Sequence, residues 1–311
     1  MEQIRMLADL TKSDSKIAGG KGASLGEMMS NGFSVPDGFV VLSTVFEKNI
    51  LDKNESKINE TLSKIDYKDS ESILSASEKI QNMIMRYNFS SDLVEDINNN
   101  FQSLDAEFVA VRSSATAEDG VDTSWAGELE SYLNTTEENL LQNIKRCWAS
   151  LYTSRAIYYR YENNLLNKHI SVAVIVQSMI PSEVSGIAFT VHPVTKNIDQ
   201  ILVEAGFGLG ESIVSGSITP DKYLINKSNL SIEDVHISSQ EIETARSREG
   251  TLIVPISEDK RGLQKLMGRE IVKLAEICLK IENHYNFPCD IEWAFSRGKL
   301  YIVQSRPITT I

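Results

Sequence analysis

The sequence predicts an α/β or α+β fold, and three observations carry that expectation. Short apolar runs bounded by glycine or polar turns alternate with stretches in which apolar residues recur at three- and four-residue steps. At 311 residues, 41% hydrophobic and 24% charged, the chain can bury a sizeable core and is expected to form about two structural units. With 7 prolines and no repeat or low-complexity linker, those units read as lobes of one compact body rather than beads on a string.

In chain order, residues 18–48 read as a glycine loop, a short helix from Ala23 stopped near Gly32, a strand from Gly38 to Leu42, and a helix capped by Ser43 or Thr44. Residues 45–105 are polar and helix-patterned, with Ile73, Ala76, Ile80, Ile84 and Met85 at helical spacing, and read as scaffold. Phe108 to Val111 has the pattern of a buried strand, as do Val172 to Val176, Gly186 to Thr190 and Ile201 to Glu204. A helical stretch from Glu137 to about Asn163 carries Leu140, Leu141, Ile144, Trp148, Leu151 and Ala156. Glu258 to Tyr285 reads as a second long helix, striped by Leu263, Leu266, Ile271, Leu274, Ile277, Cys278 and Ile281.

Charge and composition exclude several function classes. There are 31 Lys+Arg against 43 Asp+Glu, a formal charge of −12, so a protein that tracks a nucleic-acid backbone is not expected, while a local cationic pocket for one nucleotide stays open. No apolar run approaches the roughly 20 residues of a bilayer span. Met1 to Arg5 show no basic segment ahead of an apolar core, so cytoplasm is the expected location. Cys147, Cys278 and Cys289 are odd in number and far apart, which suits buried free thiols better than a disulfide frame or zinc site. His169, His192, His236 and His284 stand singly, away from metal-ligand spacing or a phosphohistidine setting, and read as structural.

Five segments stand out as candidates for chemistry. Gly19-Gly20-Lys21-Gly22 precedes a helix, where backbone amides and a lysine can face a phosphate or form a solvated turn; it lacks the spacing of a Walker A loop. Phe108-Val109-Ala110-Val111-Arg112-Ser113-Ser114 puts a cation and two hydroxyls at the end of an apolar strand, for a carboxylate or a phosphate. The small, polar segment from Ala117 to Gly127 resembles a loop over a site. Gly206-Phe207-Gly208-Leu209-Gly210-Glu211 follows a strand but has the wrong spacing for a dinucleotide fingerprint.

The fifth segment is a hairpin, Asp290 to Phe295 and Leu300 to Arg306. With a three-residue loop Ser296-Arg297-Gly298, Glu292 faces Ile302 and Asp290 faces Gln304. Glu292 and Gln304 are then diagonal neighbours on one face, about 7–8 Å apart, where two oxygen-bearing side chains can share a cation such as Mg²⁺. Arg306 continues that face, and Ile291, Trp293, Phe295, Tyr301 and Val303 form the apolar one. A two-residue loop would put Glu292 and Gln304 on opposite faces, and the alternative reading is simply a polar outer surface.

Taken together and in order, these segments resemble the ATP-binding domain shared by phosphoenolpyruvate synthase, pyruvate phosphate dikinase and rifampicin phosphotransferase. The resemblance runs through Gly19-Gly20-Lys21-Gly22, Val111 to Asp119, Ala126-Gly127, Ser185-Gly186 with Phe189-Thr190, Gly208 to Glu211, and Ile291-Glu292-Trp293 with Val303 to Pro307. Residues 304–310 look closest to the rifampicin phosphotransferase type. The resemblance implies an α+β, ATP-grasp fold spanning residues 1–311, with approximate lobes 1–170 and 171–311 that have mixed sheets and flanking helices and close on a nucleotide cleft. It implies that Lys21 and Arg112 grip phosphates, Gly127 and Ser131 lie in a loop over them, and Gln177, Met179 and Ile180 hold adenine. Glu183 is placed at the ribose, Glu292 and Gln304 at Mg²⁺, and Arg306 at a phosphate, with Lys21, Arg112 and Arg306 as the catalytic cations. Family members often have Phe and a Gln-rich pair where this chain has Trp125 to Leu129, and Thr where it has Ser131.

The function implied is an ATP-dependent phosphotransferase unit that cleaves ATP to AMP and phosphate and passes the β-phosphoryl to a histidine. No swivelling phosphohistidine domain follows, so the histidine is expected on a partner protein or on missing C-terminal domains, with a small molecule as final acceptor. The competing readings are a stand-alone ATP-grasp kinase or ligase and a non-catalytic ATP-binding regulatory module.

Overall fold

The computed structural model describes residues 2–116, 129–166, 168–247 and 250–308. It packs as two compact units, Met1–Glu27 with Asp37–Met179, and Met28–Pro36 with Ile180–Ile311.

The first unit contains β1 (Ile4–Met6), all but the last three residues of α1 (Ser15–Ser30), β2 (Gly38–Val41), α2 (Ser43–Phe46), α3 (Asp52–Ser63), α4 (Ser70–Met85) and α5 (Ser91–Ser103), then β3 (Val109–Ala115), β4 (Ser131–Thr135), α6 (Glu137–Ser150), α7 (Ser154–Glu162) and β5 (Val172–Ser178). Its antiparallel sheet has the order β1-β2-β5-β3-β4. Because side chains alternate across a strand, Phe39, Val41, Val109, Val111, Val172, Val174 and Val176 turn to one side. There they pack with Ile80, Ile84, Leu93, Ile97, Ile144 and Trp148 from the helices. The other side carries Val40, Ala110, Arg112, Ser114, Ile175 and Gln177 in register, and α1 lies against it: a Cβ on Gly22 would touch Val40 and Ile175.

Three expectations are corrected in this unit. The strand bearing Arg112 does not stop before it; pairing with β5 continues to Ala115, so Arg112 sits mid-strand. The helix expected from Glu137 to Asn163 is two, because the Thr153 hydroxyl accepts the Ala156 N–H at 3.1 Å and caps a new start. The helix expected from Ala23 begins at Ser15, with a break at Gly19.

The second unit contains β6 (Val184–Phe189), β7 (Gln200–Phe207), α8 (Glu211–Val214), β8 (Asp221–Asn226), β9 (Ile232–His236), β10 (Ile242–Ser247) and β11 (Gly250–Pro255), then α9 (Glu258–Arg261), α10 (Gly268–Tyr285), β12 (Cys289–Ser296) and β13 (Lys299–Pro307). An antiparallel sheet runs β13-β12-β6-β7-β8-β9, and β10-β11 form a separate ribbon. Ile291, Trp293, Ala188, Val203, Ala205 and Tyr223 share one side of the sheet and are buried, and α10 buries Ile271, Leu274, Cys278 and Ile281.

The helix expected from Glu258 to Tyr285 is broken at 262–267. Lys265 leaves the helical path because its backbone N–H and ammonium both bond Asp221, at 3.0 and 2.8 Å, in a fully buried ion pair. The Glu270 carboxylate then accepts the Met267 N–H and starts α10. All three cysteines are buried and free.

Candidate functional site

In the first unit, α1 and the β2-β5-β3-β4 surface assemble one group of polar side chains. Gly19 has φ +68° and ψ 169°, a region open in practice only to glycine, and an added Cβ would fall 2.2 Å from Ser114 Oγ. That close approach lets the Gly22 N–H donate to Ser114 Oγ at 3.1 Å and the Lys21 ammonium donate to the Ser113 carbonyl at 3.3 Å. Arg112 is 8% exposed, and its Nη1 reaches Gln177 Oε1 at 3.4 Å. Ser131 lies directly opposite Arg112 across β3 and β4, hence on the same face. Thus Lys21, Arg112, Ser131 and Gln177 belong to one surface. Met179, whose N–H donates to the Phe108 carbonyl at 3.0 Å, closes this unit. Gly127 and the expected loop from Ala117 lie outside the described residues.

In the second unit, the β12–β13 hairpin turns differently from the sequence expectation. Its loop is the two residues Arg297 and Gly298, both at positive φ (49° and 76°), between the pair Ser296 and Lys299. That loop alone would have separated Glu292 from Gln304. A bulge restores them: Trp293 pairs with Ile302, Glu292 pairs with Gln304, and Val303 is the extra residue. Glu292 therefore faces Gln304 directly rather than diagonally, and Asp290 faces Arg306. The same geometry corrects Tyr301, which pairs with Ala294 on the Glu292 side and not with the apolar face.

Asp290 is the residue that sequence reasoning missed. Arg306 donates to its Oδ2 through Nε at 2.8 Å and Nη2 at 2.7 Å, a fork that fixes the guanidinium. Burial raises the Asp290 carboxyl above the usual carboxylate range and nearby Glu292 adds to the rise, while Arg306 opposes it. The signal was present, since Asp290 and Glu292 are two apart on a strand and share a face. Glu183, in the segment leading into β6, is held by three bonds. Its N–H donates to Phe295 O at 2.9 Å, its carbonyl accepts from Gly208 N–H at 3.2 Å, and its carboxylate accepts the Arg297 N–H at 3.0 Å. Ile180 opens this unit's second segment.

Chemically, the first unit offers two cations and a hydroxyl beside strand backbone. The second offers a facing carboxylate and amide oxygen, hard donors of the kind Mg²⁺ takes, next to an oriented arginine. Among the described residues no cluster of three or more His, Cys, Asp or Glu could hold a metal by itself. His192 Nδ1 accepts from the Val194 and Thr195 amides at 3.2 Å, a turn-holding role. No described helix is long and apolar enough to cross a membrane.

Comparison with known proteins bears on the chain as a whole. The family described as "Pyruvate phosphate dikinase, AMP/ATP-binding domain" matches residues 15–311. Proteins named "Probable phosphoenolpyruvate synthase" are 41% identical in Methanocaldococcus jannaschii, over 100% of this chain and 27% of that protein, and 42% identical in Archaeoglobus fulgidus, over 99% and 42%. The "Rifampicin phosphotransferase" of Bacillus subtilis is 38% identical over 98% of this chain and 36% of its own length. Relatives of both names are thus similar to this chain along nearly its whole length. In each case this chain spans less than half of the relative.

Proposed function

The chain belongs to the pyruvate phosphate dikinase AMP/ATP-binding domain family, with its ATP-grasp-type α+β fold, and from that premise we propose that it binds Mg·ATP and performs the ATP half of a dikinase-type phosphoryl transfer. In this reading a histidine nitrogen on a partner domain attacks the β-phosphorus of ATP and displaces AMP, water releases the outer phosphate of the transferred group as inorganic phosphate, and a small molecule finally accepts the remaining phosphoryl group. The observation that supports it most is the pairing of Glu292 with Gln304 beside the forked Asp290–Arg306 pair, four polar groups on one sheet face.

Each residue has a physical task. Lys21 and Arg112 offset negative charge on the phosphates, with the Gly22 region bringing backbone close to them and Ser131 adding a hydroxyl. Gln177, Met179 and Ile180 contact adenine, and Glu183 accepts from the ribose hydroxyls. Glu292 and Gln304 would hold Mg²⁺, which when bound neutralises charge on the phosphate oxygens. Arg306, kept in place by Asp290, meets charge that develops on the transferred group. Phosphoryl transfer needs chiefly positioning and charge compensation, which these residues would supply, while the attacking nucleophile is the histidine of the partner domain.

The test is calorimetric titration of the purified chain with ATP, with and without Mg²⁺, followed by nucleotide analysis. Metal-dependent binding with little turnover is expected. Formation of AMP and phosphate on a small acceptor by the chain alone would instead establish a self-sufficient kinase or ligase. Arg112→Ala and Glu292→Ala should each weaken Mg·ATP binding roughly 10- to 100-fold, the usual worth of a hydrogen bond to a charged group. Unchanged affinity in both, with folding retained, removes the site assignment.

A further inference from the structure

We propose that Tyr301 is a nucleoside-contacting residue that adds affinity for the base and sugar of the nucleotide but not for its phosphates. The inference rests on the Mg·ATP reading above and on the register of the second unit's sheet.

That register defines rows on the face shared by Glu292 and Gln304. One row is Gln304, Glu292 and Ile187, each directly paired with the next. The adjacent row toward the hairpin turn is Tyr301, Ala294 and Ser185. One step further is the turn itself, where the Arg297 amide holds the Glu183 carboxylate at 3.0 Å. Successive rows on one face are about 7 Å apart. A nucleotide with its metal at Glu292 and Gln304 and its ribose at Glu183 must therefore pass over the Tyr301 row.

Within that row only Tyr301 is equipped to meet it. Ala294 is short, and the Ser185 hydroxyl is already committed to the Gly208 carbonyl at 2.6 Å. Tyr301 is half-buried, its hydroxyl makes no hydrogen bond with a described residue, and its ring is met by the exposed Lys299 ammonium, 4.7 Å from the centroid. An aromatic face capped by a displaceable cation is suited to a flat base or a sugar edge. The placement depends on the bulge: without Val303 as an extra residue, Tyr301 and Gln304, three apart, would point to opposite faces.

The test compares Tyr301→Val and Tyr301→Phe with the parent chain, titrating each with Mg·ATP and with Mg·tripolyphosphate. Tyr301→Val, which retains strand propensity, is expected to raise Kd for Mg·ATP roughly tenfold or more while tripolyphosphate binding stays unchanged. Tyr301→Phe should bind Mg·ATP within a few-fold of the parent. In the parent chain, ATP base or ribose protons should show a nuclear Overhauser effect to a tyrosine ring that disappears in Tyr301→Val. Parent-like ATP affinity in Tyr301→Val, or equal loss of ATP and tripolyphosphate, overturns the proposal. The site reading fails separately if Glu292→Gln leaves the Mg²⁺ dependence intact, and a parent chain that binds no Mg·ATP overturns both.

Discussion

Gly19 shows how one residue sets the geometry of a binding surface. Its φ of +68° with ψ of 169° lies where a side chain is strained, and Ser114 Oγ and O occupy the space a Cβ would need. Gly19→Ala is therefore expected to cost at least about 1–3 kcal/mol and to loosen Lys21 along with the backbone. A urea unfolding midpoint equal to that of the parent would show that this close approach is wrong. The cysteines make a second residue-scale prediction. Burial pushes the Cys147 and Cys289 thiols up to about 12 and raises Cys278 as well. At pH 8 the native thiolate fraction of the first two is then about one in ten thousand, so a disulfide reagent should leave the native protein almost untouched and titrate all three thiols in denaturant. Linkage gives the sign of the pH effect. These folded-state values exceed the unfolded thiol value near 8.5, so the stability they contribute is whole below about pH 8.5 and is lost as pH rises toward 12. A denaturant midpoint that holds constant across that range would contradict it.

At the scale of elements, the hairpin and the broken helix show which features a sequence discloses and which it hides. The two strands and a turn between them were legible from alternation and turn residues, and the motif segments from their order, whereas the shared face of Glu292 and Gln304 hung on the loop length. The loop length was not, because Val303 is an ordinary strand residue and nothing in its type marks it as a bulge. Two errors would have cancelled: the three-residue loop reached the right face by the wrong register, and so misplaced Tyr301. The break after Arg261 was hidden for another reason. Lys265 is drawn out by Asp221, 44 positions away, a partner that helical periodicity cannot reveal. The break at Thr153 was legible, since Thr followed by Ser is a capping signal, but the apolar stripe on both sides masks it. Because the Lys265–Asp221 pair has no exposed side-chain surface, Lys265→Met should destabilise the second unit by about 3–5 kcal/mol, and adding Asp221→Asn should return part of that loss. If the double variant is no more stable than the single one, the cost lies in packing around Phe207, whose ring centroid is 5.2 Å from the Lys265 ammonium, and not in a stranded charge.

For the whole molecule, the decisive property is that groups of complementary chemistry sit in different packing units. Lys21 and Arg112 belong to the first, and Asp290, Glu292, Gln304 and Arg306 to the second. The excess of acid over base, −12 overall, means that affinity for a polyanion must come from these local groups and the metal rather than from the field of the protein. A ligand stabilises whichever unit holds it. With Mg·ATP at 100 times its Kd the linkage is about 2.7 kcal/mol. Amide hydrogen exchange reads where it falls: protection should rise in β3 and β5 of the first unit and in the β12–β13 hairpin of the second. The same experiment without Mg²⁺ should retain more of the first response than of the second, because the cations act on phosphate directly while Glu292 and Gln304 act through the metal. Protection confined to one unit under both conditions would strike the other unit's residues from the site, and would leave a nucleotide-binding surface built on half of the groups assigned to it.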